Sequence, residues 1–251
     1  MTTNNPHAEF PTDPEAARHL AAVTQAGWEL EFVPEPLRTP ELCLAAVTQH
    51  GRALEYVPAR RRTVKICRAA VLQDGVAMLL VPPVLRTPEI YLLAVRQAGW
   101  LLRYVPAPQR TAEMCLAAVQ LHGQSLKYVA PSLRTIELCL AAVTQNGRAL
   151  RFVPEPQRTA ELCGLAVQQD GWALGSTPVP MRTAELCLAA VSDPSDGMAM
   201  VFIPEHLRAE VYQAVVPSAM PYAPASLRAG LSALATAGEP EQAQDASAPA
   251  P

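Results

Sequence analysis

Six cysteines are the residues whose chemistry matters first in this sequence. They recur at intervals of 24 residues or a multiple of 24, as Cys43, Cys67, Cys115, Cys139, Cys163 and Cys187. Thiolates can ligate a metal, form disulfides, or act as nucleophiles beside a histidine such as His50, which follows Cys43 by seven residues. Each of these roles requires partners at a defined distance, so the elements that position the cysteines decide among them.

The 24-residue interval belongs to most of the chain and not to the cysteines alone. An Arg-Thr pair recurs from Arg38 to Thr183, and a glycine recurs from Gly27 to Gly171 at the same interval. A period of this length is typical of repeat architectures. We predict a repeat array over residues 14–204 and a degenerate capping repeat over 205–236. Residues 1–13 are predicted to be a flexible start, and 237–251, AGEPEQAQDASAPAP, a disordered tail.

The stretch RTPELCLAAVTQHG, residues 38–51, has the features of a short α-helix. Thr39 suits the N-cap, Pro40 suits the first turn, and Gly51 is expected to stop the helix at its C′ position. Four apolar residues fall at helical spacing and predict a buried stripe. These are Leu42, Cys43, Ala46 and Val47.

The second half of each unit, RALEYVP in residues 52–58, is short enough to be a helix or a strand. Positions 52 and 55 vary between units, whereas the positions between and after them stay mostly apolar. Residues three apart share one face of a helix but lie on opposite faces of a strand, which favours a helix ended by Pro58. The predicted fold is therefore an all-α solenoid of about eight 24-residue units, each a pair of short helices. An α/β solenoid of the leucine-rich-repeat type, with LEYV as a strand, is the alternative.

Three units carry a resemblance to a known family. They read ELCLAAVTQHGRALEYVP, ELCLAAVTQNGRALRFVP and YLLAVRQAGWLLRYVP. They resemble the bacterial repeat family known as domain of unknown function 4116, in which a Leu-Ala-Val helix ending in Gln-x-Gly precedes a short aromatic segment. The resemblance implies a helical repeat protein and supplies no functional residues to transfer. The proline-rich junctions and the cysteine column depart from the family's pattern.

The predicted stacking of helices disfavours disulfide, catalytic and metal-binding roles for the cysteines. Equivalent positions in packed helices lie about 8–10 Å apart, whereas a disulfide requires Cα atoms within about 7 Å. Cys43 and His50 are separated by roughly 10.5 Å along a helix, too far for a dyad unless the partner comes from another unit. No Cys-x-x-Cys pair is present for zinc, and His19 and Tyr91 replace cysteine in two units. We therefore predict six structural cysteines, no catalytic residue, no metal and no cofactor, and a protein that is not an enzyme.

The repeated arginines admit two interpretations. A ladder of arginines could bind an acidic ligand. Alternatively, each arginine closes the preceding short helix and pairs with a glutamate such as Glu41 or Glu89. Repetition in every unit favours this second, structural role, because binding residues usually vary between repeats.

Residues that vary between units are the predicted contacts with a partner. Tryptophan and arginine are enriched in binding hot spots. The candidates are Trp28, Arg96, Trp100, Arg103, Lys127, Arg148, Arg151 and Trp172. The alternative is that each tryptophan covers a groove between units.

Net charge and the length of the apolar segments limit the classes of partner. The formal net charge of −3 makes nucleic acid an unlikely partner, and no apolar segment is long enough to cross a membrane. We predict a non-enzymatic, cytoplasmic scaffold that binds a protein or peptide. One alternative is nucleic-acid binding through the basic middle repeats. Another, suggested by the family resemblance and the polar start MTTNNPHAEFPTDP, is a translocated bacterial effector that binds a host protein in the host cytoplasm.

Overall fold

A computed structural model describes residues 14–192 and 199–219 of the chain. Each full repeat begins with an α-helix that is ten residues long in most repeats. The α-helices are α1 Pro14–Gln25, α2 Pro40–Gln49, α3 Val64–Gln73, α4 Pro88–Gln97, α5 Ala112–Leu121, α6 Ile136–Gln145, α7 Ala160–Gln169, α8 Ala184–Val191 and α9 Glu205–Ala219.

Each repeat continues with two 3-10 helices, in which a backbone N–H donates to the carbonyl three residues earlier. The six-residue helices are Gly27–Phe32, Gly51–Tyr56, Gly75–Leu80, Gly99–Tyr104, Gly123–Tyr128, Gly147–Phe152 and Gly171–Ser176. The three-residue turns are Glu35–Leu37, Ala59–Arg61, Pro83–Leu85, Ala107–Gln109, Pro131–Leu133, Glu155–Gln157 and Val179–Met181.

The second segment of each repeat is therefore helical, as predicted, and its helix is of the 3-10 type. At the end of Gly51–Tyr56, the N–H of Val57 donates to the Leu54 carbonyl at 3.2 Å, and Pro58 then offers no N–H to continue. Within residues 14–192 and 199–219 there is no β-strand. The all-α solenoid class is confirmed, and the leucine-rich-repeat-like alternative is wrong.

Threonine caps open the α-helices at the predicted positions. The hydroxyl of Thr39 accepts a hydrogen bond from the N–H of Leu42 at 3.2 Å, and Thr159 binds Leu162 in the same way at 3.2 Å. The cap satisfies one of the backbone N–H groups that the first helical turn leaves without a partner.

The predicted apolar stripe forms the core. In α2, Leu42, Cys43, Ala46 and Val47 are all buried. The six-residue 3-10 helices contribute a second buried row, such as Ala53, Leu54 and Val57 in one repeat. Because helices this short are marginal alone, their stability comes from packing against neighbouring repeats.

The chain divides into two compact units, residues 1–141 and 142–251. In the first unit, α1 packs on α2, α2 on α3, α3 on α4 and α4 on α5. The 3-10 helices Gly27–Phe32, Gly51–Tyr56, Gly75–Leu80 and Gly99–Tyr104 each also pack against the α-helix of the next repeat. In the second unit, α7 packs on α8 and α8 packs on α9.

Helix α1 begins at Pro14 and α9 begins at Glu205. The predicted limits of the repeat array, 14–204, and of the capping repeat, 205–236, stay predictions. The predicted flexible start 1–13, residues 220–236 of the capping repeat and the tail 237–251 lie outside the described residues.

Gly51 has a different role from the predicted helix stop. The residue that follows α2 is His50, in an extended conformation with φ −144° and ψ 104°. No described glycine has a positive φ. Gly51 instead begins a 3-10 helix, where a Cβ atom would overlap the carbonyl oxygen of Ala70 in the next repeat. Gly51 therefore occupies the predicted C′ position, after α2 and its cap His50, but the glycine is needed there for close approach between repeats and not for a left-handed turn.

Candidate protein-binding surface

The repeated arginines bind backbone carbonyl groups. Arg38 donates from Nε to the Val33 carbonyl at 2.7 Å and from Nη2 to the Glu31 carbonyl at 3.1 Å. Its Nη1 donates to the Tyr56 carbonyl of the following repeat at 2.5 Å. The first two bonds satisfy carbonyls at the end of a short helix, and the third joins two repeats.

The same arrangement recurs along the chain. Three-carbonyl sets are bound by Arg62 (Val57, Glu55, Leu80), Arg158 (Val153, Arg151, Ser176) and Arg182 (Thr177, Gly175, Phe202). The prediction that each arginine closes the preceding short helix is confirmed. The glutamate pairing was wrong for Glu89, which pairs with Arg68 of α3 at 2.7 Å. The guanidinium donors are directed at carbonyls because helix ends leave these acceptors without partners.

A column of glutamines also joins repeats, a role that the sequence alone did not indicate. Gln73 accepts from the Gly51 N–H at 2.6 Å and donates to the Gln49 carbonyl at 3.2 Å. In the next repeat, Gln97 accepts from the Gly75 N–H at 2.6 Å. Glutamine recurs two residues before the repeated glycines, except at Gly123, where Leu121 replaces it, and this recurrence was the available signal. Its meaning depends on a contact with the preceding repeat, which a local pattern does not reveal.

All six cysteines lie in the core as free thiols. The Cys43 thiol donates to the Arg38 carbonyl at 3.5 Å. Burial raises the pKa of each of the six thiols above the ordinary 9.0. The thiolate is the reactive form of cysteine, so this environment disfavours nucleophilic chemistry. Tyr91 occupies the same column in α4 and is also buried.

The residues that vary between repeats lie on one face of each six-residue 3-10 helix. Because residues three apart eclipse in a 3-10 helix, the second and fifth residues of each helix point the same way. We call these positions the outer rim. In the first unit the rim consists of Trp28, Glu31, Arg52, Glu55, Val76, Leu79, Trp100, Arg103, Gln124 and Lys127. In the second unit it consists of Arg148, Arg151, Trp172 and Gly175.

In the first unit, the rim combines exposed tryptophans with cations over aromatic rings. Trp100 is 37% exposed, and its ring lies edge-on to Tyr104 with centroids 6.2 Å apart. The guanidinium of Arg103 lies 5.2 Å from the centroid of the Tyr104 ring, and the Lys127 ammonium lies 4.8 Å from that of Tyr128. Such contacts are worth about 0.5–1 kcal/mol at exposed sites and leave the cations open to a partner.

In the second unit, one rim cation is already paired. Arg148 binds Asp170 at 2.5 Å and lies 5.9 Å from the centroid of the Trp172 ring. Arg151 lies 4.5 Å from the Phe152 ring. Trp172, 38% exposed, meets Phe202 edge-on at 5.8 Å. Tryptophan therefore both contacts its neighbours and remains accessible.

Seven of the eight predicted partner contacts lie on the outer rim, and Arg96 does not. Arg96 projects from α4 and forms an ion pair with Glu113 of α5 at 2.6 Å. The two residues line a pocket with Leu116 and Leu121. Arg96 thus belongs to the α-helical surface, where it joins neighbouring repeats.

Comparison with known proteins adds one result. Residues 112–157 match a family model, Domain of unknown function (DUF4116). This range contains α5, α6 and the 3-10 helices that follow each of them, which amounts to two consecutive repeats. The DUF4116 resemblance noted in the sequence is confirmed over these residues. No curated protein and no solved structure matches the chain.

The described part of the chain has neither a membrane-spanning helix nor a cluster of metal-binding side chains. No helix there is both long and apolar enough to span a bilayer. Within the same residues, no group of three or more His, Cys, Asp or Glu side chains is placed to hold a metal ion.

Proposed function

We propose that this protein is a non-enzymatic scaffold that binds another protein or a peptide through its outer rim. One observation carries the proposal: the recurring side chains are used to join the repeats, while the varying side chains remain exposed. Arg62 and Gln73 illustrate the first group, since their donors and acceptors are directed at backbone atoms. Trp100 and Arg103 illustrate the second.

The chemistry of the rim suits a protein partner. An interface hot spot combines a large apolar contact with groups that fix orientation, and tryptophan, tyrosine and arginine supply both. On the first unit, Trp28 is 49% exposed and Phe32 is 67% exposed, with ring centroids 6.4 Å apart. Exposed aromatic pairs of this kind bury considerable apolar area when a partner covers them.

The test is affinity capture from a native lysate, followed by measurement of the identified partner's affinity for the purified protein. The variant combines Trp100→Ala with Arg103→Glu, which removes an apolar contact and reverses a charge on the rim. We expect at least about a tenfold loss of affinity, because a single hot-spot truncation typically costs about 2 kcal/mol or more.

The matched control combines Leu72→Ala with Lys65→Glu. It makes the same kinds of change on the exposed surface of α3, away from the rim. We expect affinity close to that of the unaltered protein. If the control weakens binding as much as the rim variant does, the rim is not the binding surface.

Nucleic-acid binding is a second candidate, and the cation–aromatic pairs favour it. Arg103 with Tyr104 and Lys127 with Tyr128 place a positive charge beside an aromatic ring, as in proteins that stack single-stranded bases. The acidic rim residues of the first repeats and the net charge of −3 weigh against this candidate. Fluorescence anisotropy with a labelled oligonucleotide tests it, since phosphate binding must weaken steeply as salt increases.

A cytoplasmic location belongs to the same proposal. For a translocated effector, that location would be the cytoplasm of a host cell. A translocation assay with residues 1–14 deleted separates the two cases, because loss of translocation on deletion supports the effector role.

A further inference from the structure

The fifth residue of each six-residue 3-10 helix, one of the two rim positions, changes charge in an ordered way along the first unit. Its residues in successive repeats are Glu31, Glu55, Leu79, Arg103 and Lys127. Two acids are followed by one apolar residue and two bases. The series is therefore antisymmetric about Leu79, since reversing its direction exchanges every acid with a base.

The four charges of this series form no ion pair with any residue that the structure describes. Glu31 accepts a hydrogen bond from the Tyr56 hydroxyl, which raises the pKa of Tyr56. Arg103 lies over the Tyr104 ring and Lys127 over the Tyr128 ring. Other arginines differ, since Arg52 binds Asp74 at 2.9 Å. The four charges of this series, unlike the rim charge of Arg52, therefore remain available for ion pairs with an outside partner.

The other rim position, the second residue of the helix, is also apolar in the repeat that contains Leu79. Val76, which is half-buried, lies in the same 3-10 helix as Leu79, three residues earlier, so the two side chains share one edge of the helix. Leu79 is 36% exposed. An apolar centre flanked by charges matches the usual layout of a protein interface.

We propose that this part of the rim binds a second copy of the chain in an antiparallel, two-fold arrangement centred on Leu79. In a two-fold interface, residue i of one copy meets residue j of the other, and j meets i. Glu55 then faces Arg103 of the second copy, Glu31 faces Lys127, and Leu79 faces its own equivalent. Four ion pairs form because the repeats space the charges regularly.

This inference rests on the proposed protein-binding role of the rim and names one partner for it. Charge complementarity selects the second copy over an arbitrary acidic or basic protein. A wholly acidic partner would meet Glu31 and Glu55, whereas a wholly basic partner would meet Arg103 and Lys127. Only a partner with both signs in reversed order satisfies all four.

Analytical ultracentrifugation of the full chain tests the proposal. We expect a monomer–dimer equilibrium that shifts toward monomer as ionic strength rises from about 0.01 M to about 1 M. Over that range the Debye length falls from about 30 Å to about 3 Å, which weakens exposed ion pairs. A protein that sediments as a monomer at all concentrations up to about 100 μM at low salt overturns the inference.

Charge reversal gives a sharper test. Glu55→Arg and Arg103→Glu each place two like-charged pairs in the dimer, so each variant alone should dimerise at least about tenfold more weakly. A mixture of the two variants should dimerise as well as the unaltered protein, since position 55 of each variant then faces an opposite charge at position 103 of the other. A mixture that fails to dimerise overturns the inference.

Lys65→Glu is the matched control, because it makes a charge reversal on the exposed surface of α3. It should leave dimerisation unchanged, and a loss equal to that of Arg103→Glu contradicts the proposed interface. Failure of self-association leaves the wider proposal open to its own test, because capture of a different protein by the rim does not require a dimer.

Discussion

Gly147 and Gly164 lie close together in the chain, yet a methyl group added at each meets different surroundings. A Cβ at Gly147 would overlap the carbonyl oxygen of Ala166 in the next repeat. A Cβ at Gly164, inside α7, would meet no atom within 4 Å. The same residue type therefore serves tight packing at one position and only weakens a helix at the other.

We expect Gly147→Ala to destabilise the protein by about 1–3 kcal/mol, because the added methyl must push two repeats apart. Gly164→Ala should stabilise it by up to about 1 kcal/mol, since alanine has the higher helix propensity. Urea unfolding followed by circular dichroism measures both. Equal effects of the two substitutions would contradict the close-approach role of Gly147.

The buried thiols predict how stability depends on pH. Burial raises their pKa above the ordinary 9.0, so native thiols keep their protons at pH values where unfolded thiols lose them. The stability that the buried, protonated thiols contribute is complete below pH 9.0 and is lost as pH rises through the pKa values of the native thiols. We expect the urea midpoint to fall above that pH.

Replacing Cys43 and Cys67 with alanine should reduce the slope of that fall, whatever the replacement costs in stability at neutral pH. The other four thiols, Tyr56 and Tyr212 also have raised pKa values, so part of the slope should remain. An unchanged slope in the variant would show that the thiols do not ionise differently in the two states.

At the scale of the helices, the junction between the repeat that begins with α3 and the repeat that begins with α4 is looser than its neighbours. Arg86 binds the carbonyls of Val81 and Leu79, but among the described residues it makes no hydrogen bond to Tyr104 of the next repeat. A Cβ at Gly75 would lie 3.0 Å from the Ala94 oxygen, a wider gap than the overlap found at other junctions.

Two bulky core residues account for this spacing. In the repeat that begins with α4, Tyr91 occupies the position of Cys67 in the preceding repeat, and Leu101 occupies the position of Ala77. Both Tyr91 and Leu101 are buried. Because protein interiors are close-packed, larger side chains at these positions separate the backbones of adjacent repeats.

We therefore expect Arg62→Ala to destabilise the protein more than Arg86→Ala does. Arg62 joins two repeats through its bond to the Leu80 carbonyl at 3.1 Å, and Arg86 lacks the corresponding bond. A hydrogen bond to a charged group contributes about 1.5–3 kcal/mol, which sets the scale of the difference. Both variants are in the first unit, and urea midpoints compare them directly. A larger loss for Arg86→Ala would contradict the role of the cross-repeat bond.

The whole molecule should tolerate removal of a complete repeat. Residues 64–87 run from the first residue of α3 to the threonine that caps α4. Deleting them places Pro88, the first residue of α4, directly after Thr63, which caps α3. The buried stripe of each remaining α-helix then still packs against a neighbouring repeat. We expect a folded protein with the same helical circular dichroism per residue and a lower urea midpoint, because stability in repeat proteins is approximately a sum over repeats and their interfaces.

Deletion of residues 64–75 is the matched comparison. It removes α3 and its junction glycine but leaves most of the following 3-10 helix without its α-helix. We expect loss of the cooperative transition. If both deletions unfold the chain to the same extent, the 24-residue unit is not the unit of stability.

The amino-acid sequence alone determined the repeat length, the threonine caps, the buried stripe and the outward positions of the tryptophans. These follow from local spacing, because a helix repeats its face every three to four residues whatever surrounds it. Three features depended on the tertiary structure: the use of glycine for close approach, the arginine and glutamine bonds between repeats, and the lack of ion-pair partners for Glu55 and Arg103 among the described residues. Each depends on the distance between residues of different repeats, which packing decides and local preference does not.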